Sequence, residues 1–337
     1  MRIEKVTLLI LVLIVGFVSC KKDDDAGSTV VEIRDRGEQQ IADNDSIIKY
    51  LSTHYFNKSD FDGNTNPKIA DLRITEITTE NISADADSIL INQLRDVNTN
   101  PDGKLVKYET VFADTNYEYY VLILNEGYSE APSPTFADNI LVTYEGFTLD
   151  NEVFDSSILP VEFDLIGDGV NTAGLVPIWR KVLPRFKTAE GFVEQPDGLV
   201  EYYNHGTGVM FAPSGLGYFA TTSAGIPSYS PLIFKFELFK KYENDHDGDG
   251  VPSYMEDIDG DGEFTINYDD LSGDDTDDDT DGDGTPDYID IDDDGDGIAT
   301  IYEDIDEDGD PTNDDTNGNT IPNYRDPEDT LSNLDND

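Results

Sequence analysis

Apolar positions along the chain fall into four successive patterns. The first is a nearly continuous run, Val6–Val18, preceded by Arg2 and Lys5. Thirteen residues span roughly 20 Å as a helix, short of a bilayer core of roughly 30 Å. Residues 1–19 therefore read as a secretory signal, outside the fold. Residues 20–44 are polar and aperiodic and read as a flexible tether. Asp45 and Ser46 are good N-cap residues, and Ile47, Ile48, Leu51 and Tyr55 follow at helical spacing, so DSIIKYLSTHYF predicts a short amphipathic helix. Strand-like patches come next (LRITEITTE, SILIN, KYETVF), divided by turns such as NTNPDG. The pattern assigns residues 45–114 no role.

From residue 115 to 241 the pattern is that of an antiparallel meander. Tyr119–Leu124, Asn139–Tyr144, FTLDNEVFDSS and VEFDLI read as strands, LVPIWRKVLPRF contains a helix, and GVMFAP and PLIFKFELF close the set. One short helix among five or six strands predicts an α+β fold, a curved antiparallel β-sheet wrapped on that helix. Residues 242–337 lose both periods and become an irregular Asp/Gly-rich segment.

Charge sharpens this division. The 337-residue chain carries 73 acidic and 21 basic residues, a formal charge of −52. Of the acidic residues, 36 lie from Asp245 onward, where Arg325 is the only basic residue. So acidic a surface disfavours nucleic acid and anionic lipid as partners. Cys20 is the only cysteine, which excludes an intramolecular disulfide. FVSC resembles a bacterial lipoprotein cleavage site, with Phe17 where Leu is usual, and implies lipidation of Cys20. The following KKDDD is similar to the surface-export tags of some Gram-negative lipoproteins. The chain thus reads as an outer-membrane lipoprotein, periplasmic or surface-exposed. His54, His205 and His246 are scattered, and neither a P-loop nor a G-x-S-x-G elbow is present.

At VTYEGFTLDNEVFDSS the chain resembles the FK506-binding protein family of peptidyl-prolyl isomerases. PSGLGYFATTSAGIPSYSPLIFKFEL, from Pro213 to Leu238, is similar to that family's closing block, and Trp179 lies between the two on the predicted helix. The resemblance covers roughly residues 117–241. It implies a pocket of Tyr144, Phe154, Asp155, Trp179, Tyr218, Ile226 and Phe234, with Val161, Leu175 and Val176 completing its substrate-binding wall. Val161 stands where the family often has Phe, and Phe219 stands where Gly usually follows Tyr218. Residues 184–207 exceed the family's usual connection, and the excess is expected to cap the pocket or bind a client.

The chemistry suits such a pocket without any nucleophile or cofactor. Rotation about a peptide bond faces a barrier of about 18–20 kcal/mol, from partial double-bond character that water reinforces. An apolar wall removes that reinforcement and favours the twisted amide by differential binding, with desolvation contributing. A drop of about 7 kcal/mol gives roughly 10⁵-fold acceleration. The resemblance further implies substrate hydrogen bonds from the Val176 N–H and the Tyr218 hydroxyl, and an orienting role for Asp155.

The acidic segment repeats DHDGDGVPSYMED-like units. Against a twelve-residue calcium loop, Asp245, Asp247, Asp249 and Glu256 occupy positions 1, 3, 5 and 12, with Gly250 at 6. Asp292, Asp294, Asp296 and Glu303 repeat the pattern, as do Asp279, Asp281, Asp283 and Asp290. Asp257, Asp259 and Asp261 lead to Tyr268 at position 12, and Asp304, Asp306 and Asp308 lead to Asp315. The last loop, from Asp315, has Asn317, Asn319 and Thr320 in place of Asp, Asp and Gly. Flanking helices are missing from the pattern. The segment resembles thrombospondin type 3 repeats, which implies structural Ca²⁺. The leading expectation is a lipid-anchored, monomeric prolyl isomerase acting on proline-containing envelope clients. The alternative is a non-catalytic peptide-binding or adhesion scaffold with a calcium-stiffened tail.

Overall fold

The computed structural model describes residues 33–80, 85–169, 171–223, 225–267 and 277–336. The signal-like run, Cys20 and Tyr268 lie outside the described residues. No described helix is long and apolar enough to cross a membrane.

The first element is helix α1, Arg36–Thr53, capped by Asp35, whose side chain accepts from the Glu38 N–H. It starts well before the predicted helix, so the tether reading does not extend to residues 36–44. The reason is a polar buried face. Gln39, Gln40 and Asp43 are buried through hydrogen bonds, which apolar periodicity does not register. Strand β1, His54–Phe56, follows directly and pairs antiparallel with β2, Ile74–Glu76. The SILIN stretch forms 3₁₀ turns instead of the expected strand. It is flanked by Asp and Asn side chains that bond local backbone, a competition that favours turns over ladders.

The main sheet has six strands: β3 (Leu105–Phe112), β4 (Thr115–Glu126), β5 (Asn139–Thr148), β6 (Val153–Asp164), β9 (Gly206–Ala212) and β10 (Leu232–Tyr242). Their spatial order is β3-β4-β9-β10-β5-β6, all antiparallel. The α+β expectation holds. Between β6 and β9 lie α2 (Ile178–Val182) and a separate hairpin of β7 (Gly191–Glu194) and β8 (Val200–Tyr203).

Alternation sends side chains to two different cores. Tyr119, Val121, Val142, Tyr144, Met210, Phe234 and Phe236 meet α2 on one face. Tyr120, Leu122, Val209, Phe211 and Ile233 meet Ile47 and Leu51 of α1, with Phe56, Phe61, Leu72 and Leu90, on the other. Residues 45–114 thus have a structural role: they cover the second face and add β3 to the sheet. Double coverage explains why every residue of β9 is buried.

Beyond β10 the described chain contains only 3₁₀ turns and bends. It packs against the sheet domain. Phe264 stacks on Tyr288 at 3.9 Å and tilts against Phe136 at 5.2 Å. The Tyr288 hydroxyl donates to the Gly167 carbonyl at 3.2 Å.

Candidate functional site

The V-x-Y-x-G stretch builds the centre of the site. Tyr144 and Gly146 share one face of β5, and Phe234 of β10 is opposite Gly146 in the register. The missing side chain matters: a Cβ on Gly146 would lie 2.7 Å from the Phe154 ring and 2.9 Å from the Phe234 ring. These two rings pack edge-on at 5.6 Å. Trp179, buried on α2, packs edge-on against Tyr144 at 5.9 Å and Phe234 at 5.3 Å. Ile226 is buried in the same cluster, with Phe154, Val161, Leu175 and Val176 half-buried against it.

The polar edge is formed by Tyr144 and Asp155. The Tyr144 hydroxyl donates to Asp155 Oδ2 at 2.6 Å. Burial, then this hydrogen bond, pushes the Tyr144 hydroxyl well above its ordinary range, with the charges of Asp155 and Tyr218 adding to the rise. Tyr144 therefore stays a neutral donor. Tyr218 is 37% exposed at the mouth. Among the described residues the Val176 N–H meets no acceptor.

Phe219 bears out the physical cost of its departure from the usual Gly. Its φ is +47°, a conformation that costs a bulky residue energy. Its amide donates to Ser214 O at 2.8 Å, its ring packs edge-on against Tyr229, and the Arg36 guanidinium lies 4.2 Å over it. Of the 184–207 insertion, Phe186 joins this cluster, edge-on to Phe236 at 4.9 Å, whereas the β7–β8 hairpin packs elsewhere. Tyr202 of that hairpin stacks on Phe239 at 4.5 Å, and Lys68 bridges Glu201 at 2.7 Å. The hairpin lines a cavity of about 370 Å³ with Thr143 and Glu237, whose positions on β5 and β10 point away from α2.

Six acidic loops share one backbone network. The amide of the sixth residue donates to the first Asp, from Gly250 to Asp245 through Thr320 to Asp315. The five glycines at this position have φ between +76° and +103°, which only glycine adopts freely. Carboxylate oxygens converge within 4.8 Å in five groups: Asp247, Asp249, Glu256 and Asp293; Asp257, Asp259 and Asp278; Asp279, Asp281 and Asp283; Asp292, Asp294 and Asp296; Asp304, Asp306 and Asp308. Asp245, Asp261, Asp290 and Glu303 stand outside these groups. Asp245 accepts the Gly248 and Gly250 amides, Asp261 that of Glu263 and Asp290 that of Asp292. Glu303 is fully buried with both oxygens unpartnered.

A family model described as BamM C-terminal matches residues 246–310. No curated protein matches the chain. Among solved structures, a peptidyl-prolyl cis-trans isomerase from Pseudomonas syringae pv. tomato is similar at 21% identity and a TM-score of 0.29, over 37% of this chain and 76% of that one. FkpA from Escherichia coli is similar at 24% identity and a TM-score of 0.28, over 36% of this chain. The match spans 47% of the FkpA chain.

Three residues of these sites escaped the sequence reading. Phe163, two positions beyond Val161 on β6, packs edge-on against Tyr144 at 5.4 Å and restores an aromatic to that wall. Its signal was strand alternation, which puts 161 and 163 on one face. Asp278 and Asp293 enter carboxylate groups belonging to other loops. The triplets Asp277–Asp279 and Asp292–Asp294 contain more carboxylates than a linear loop uses. Burial, reinforced by neighbouring carboxylates, pushes Glu256 up to about 11 and Asp293 up to about 12. In the last loop the Asn317 and Asn319 amides donate to Asp326 at 2.7 and 2.8 Å.

Proposed function

We propose that residues 115–241 catalyse peptidyl-prolyl cis-trans isomerisation. One observation carries the reading: Tyr144, Phe154, Asp155, Trp179, Ile226 and Phe234, drawn from separate stretches of chain, converge as an apolar floor with one hydroxyl–carboxylate pair at its edge. An X-Pro amide laid on this floor loses the water that stabilises its planar form, and the twisted amide is favoured. Tyr144 orients Asp155, and Asp155 meets the substrate carbonyl's positive end. The Val176 N–H and Tyr218 hydroxyl anchor the peptide on either side. No proton changes hands.

The same reading makes the chain a lipoprotein anchored through Cys20 in a Gram-negative outer membrane, acting as a monomer on proline-containing envelope proteins. The acidic segment is proposed to bind calcium as a structural ion. Its donor set fits a hard cation: oxygen only, with both oxygens of Glu256 and Asp293 buried and unpartnered. Asp326, whose carboxylate already accepts from two Asn amides, marks the last loop as the one that needs no ion.

The test is a proline-isomerisation assay on a Leu-Pro or Phe-Pro peptide with the full mature chain. Wild type is expected to accelerate the exchange, and a Tyr218→Phe, Asp155→Val double variant with unchanged circular dichroism to lose more than about tenfold, or 1.4 kcal/mol. Equal inactivity of the two proteins ends the enzyme reading.

A further inference from the structure

Trp179 is the only tryptophan in the chain and sits on a five-residue helix. A helix so short has little stability of its own, so its position depends on the groups that hold it. The next two residues, Arg180 and Lys181, are both held by Glu263 of the acidic segment. Arg180 Nε lies 3.0 Å from each Glu263 oxygen, and Lys181 Nζ lies 2.8 Å from Oε1. Lys181 also donates to the Gly262 carbonyl at 3.3 Å. All three side chains are 10–12% exposed.

A second tie reaches the loop that enters α2. Besides its bond to Gly167, Tyr288 packs edge-on against His246 at 5.2 Å. His246 Nε2 lies 3.2 Å from Asp164 Oδ2, and Asp164 Oδ1 accepts the amides of Ile166 and Gly167. This stretch leads on to Leu175 and Val176.

Both ties grow out of the buried carboxylate centre. Glu256 directly precedes Asp257, first residue of the loop that carries Glu263. Asp293 lies five residues beyond Tyr288. Asp249, Glu256 and Asp293 are at most 1% exposed, and all four Glu256 and Asp293 oxygens lack a partner. Four carboxylates this close cannot all ionise without repelling one another, and a divalent cation reverses the sign of that interaction.

We propose that Glu263 is a positioning residue for Trp179, and that divalent-cation binding at the Asp247–Asp249–Glu256–Asp293 centre is transmitted through Glu263 and Tyr288 to the floor of the pocket. The consequence for catalysis rests on the isomerase reading; the link from carboxylates to Trp179 does not. Occupancy of the centre holds the two ties in register, and emptying it releases α2.

The lone tryptophan supplies the readout. Calcium chloride is titrated into the full mature chain while Trp179 emission and calorimetric binding are followed together. The wild-type emission is expected to shift saturably with binding. Glu263→Gln is expected to bind the same number of ions while its emission shift falls by more than about half, because a buried pair has lost its charge. Arg180→Gln, which leaves every carboxylate in place, is expected to uncouple in the same way. Glu256→Gln with Asp293→Asn is expected to lose the shift together with ions. A full-amplitude shift in both Glu263→Gln and Arg180→Gln overturns the proposal, as does wild-type binding without a shift, or no binding. Isomerase turnover is measured on the same samples. Its absence ends the enzyme reading, whereas an emission shift that behaves as described still supports the link.

Discussion

Gly146 has no room for a methyl group between the edge-packed Phe154 and Phe234 rings. Gly146→Ala is therefore expected to destabilise the domain by about 1–3 kcal/mol, as overpacking does. It should lower isomerisation more than Phe219→Gly does. The second change removes ring contacts but relieves a positive φ, so its two effects oppose each other. Paired urea melts and turnover assays make the comparison. His205, also fully buried, sets a pH dependence. Burial pushes its imidazole down to about 4, against a hydrogen bond to the Gly206 carbonyl. Above pH 6.5 both folded and unfolded states are neutral there. As pH falls from 6.5 towards 4, the unfolded chain takes the proton first, so stability is lost on acidification. Between pH 6.5 and 5 this amounts to about 2 kcal/mol, at roughly 1.4 kcal/mol per unit. Urea midpoints for wild type and His205→Gln are expected to converge as the pH drops over that interval.

At the scale of elements, α1 is more than a cover. Its Asp43 is buried, and its Oδ2 accepts both the Ser214 amide at 2.8 Å and the Ser214 hydroxyl at 2.6 Å. That turn leads directly to Tyr218. Asp43→Ala leaves a buried amide unsatisfied and should cost about 1–3 kcal/mol, with weaker peptide binding as the turn loosens. Asp43→Asn, which keeps an acceptor, should cost less. Chemical denaturation and a peptide-binding titration read the two effects. The same helix shows where sequence legibility stops. The strands of the sheet were readable because alternation is local, and the side chains that gather around Trp179 were named through the family resemblance of the Tyr-x-Gly and Phe-Asp stretches. The first half of α1 was not readable, because Gln39, Gln40 and Asp43 are buried through partners at Glu118 and Ser214, far away in sequence. Likewise the linear spacing located six acidic loops but could not reveal Asp278 and Asp293, which act across loops.

Over the described residues, the sheet is gripped by segments on both sides of it in sequence. Arg34 and Arg36 lie over Tyr229 and Phe219 beside the mouth, while Glu263 and Tyr288 hold the floor. The two grips differ in what sustains them. The N-terminal one rests on an apolar core and is expected to survive chelation. The C-terminal one belongs to a segment with 36 acidic residues and one arginine, whose compactness depends on neutralisation. Adding a chelator to the full mature chain should therefore raise the radius of gyration and open protease sites beyond residue 242, leaving the β-sheet circular dichroism intact. Sodium chloride at about 0.1 M shortens the screening length to about 10 Å and should restore compaction only in part. Calcium at millimolar levels should restore it fully, because coordination joins carboxylates that screening merely stops from repelling. Scattering profiles that are identical with and without chelator would remove the ion from this account. Equal recovery by sodium and calcium would reduce the segment to a polyelectrolyte, with Glu256, Asp293 and Glu303 buried for a reason other than coordination.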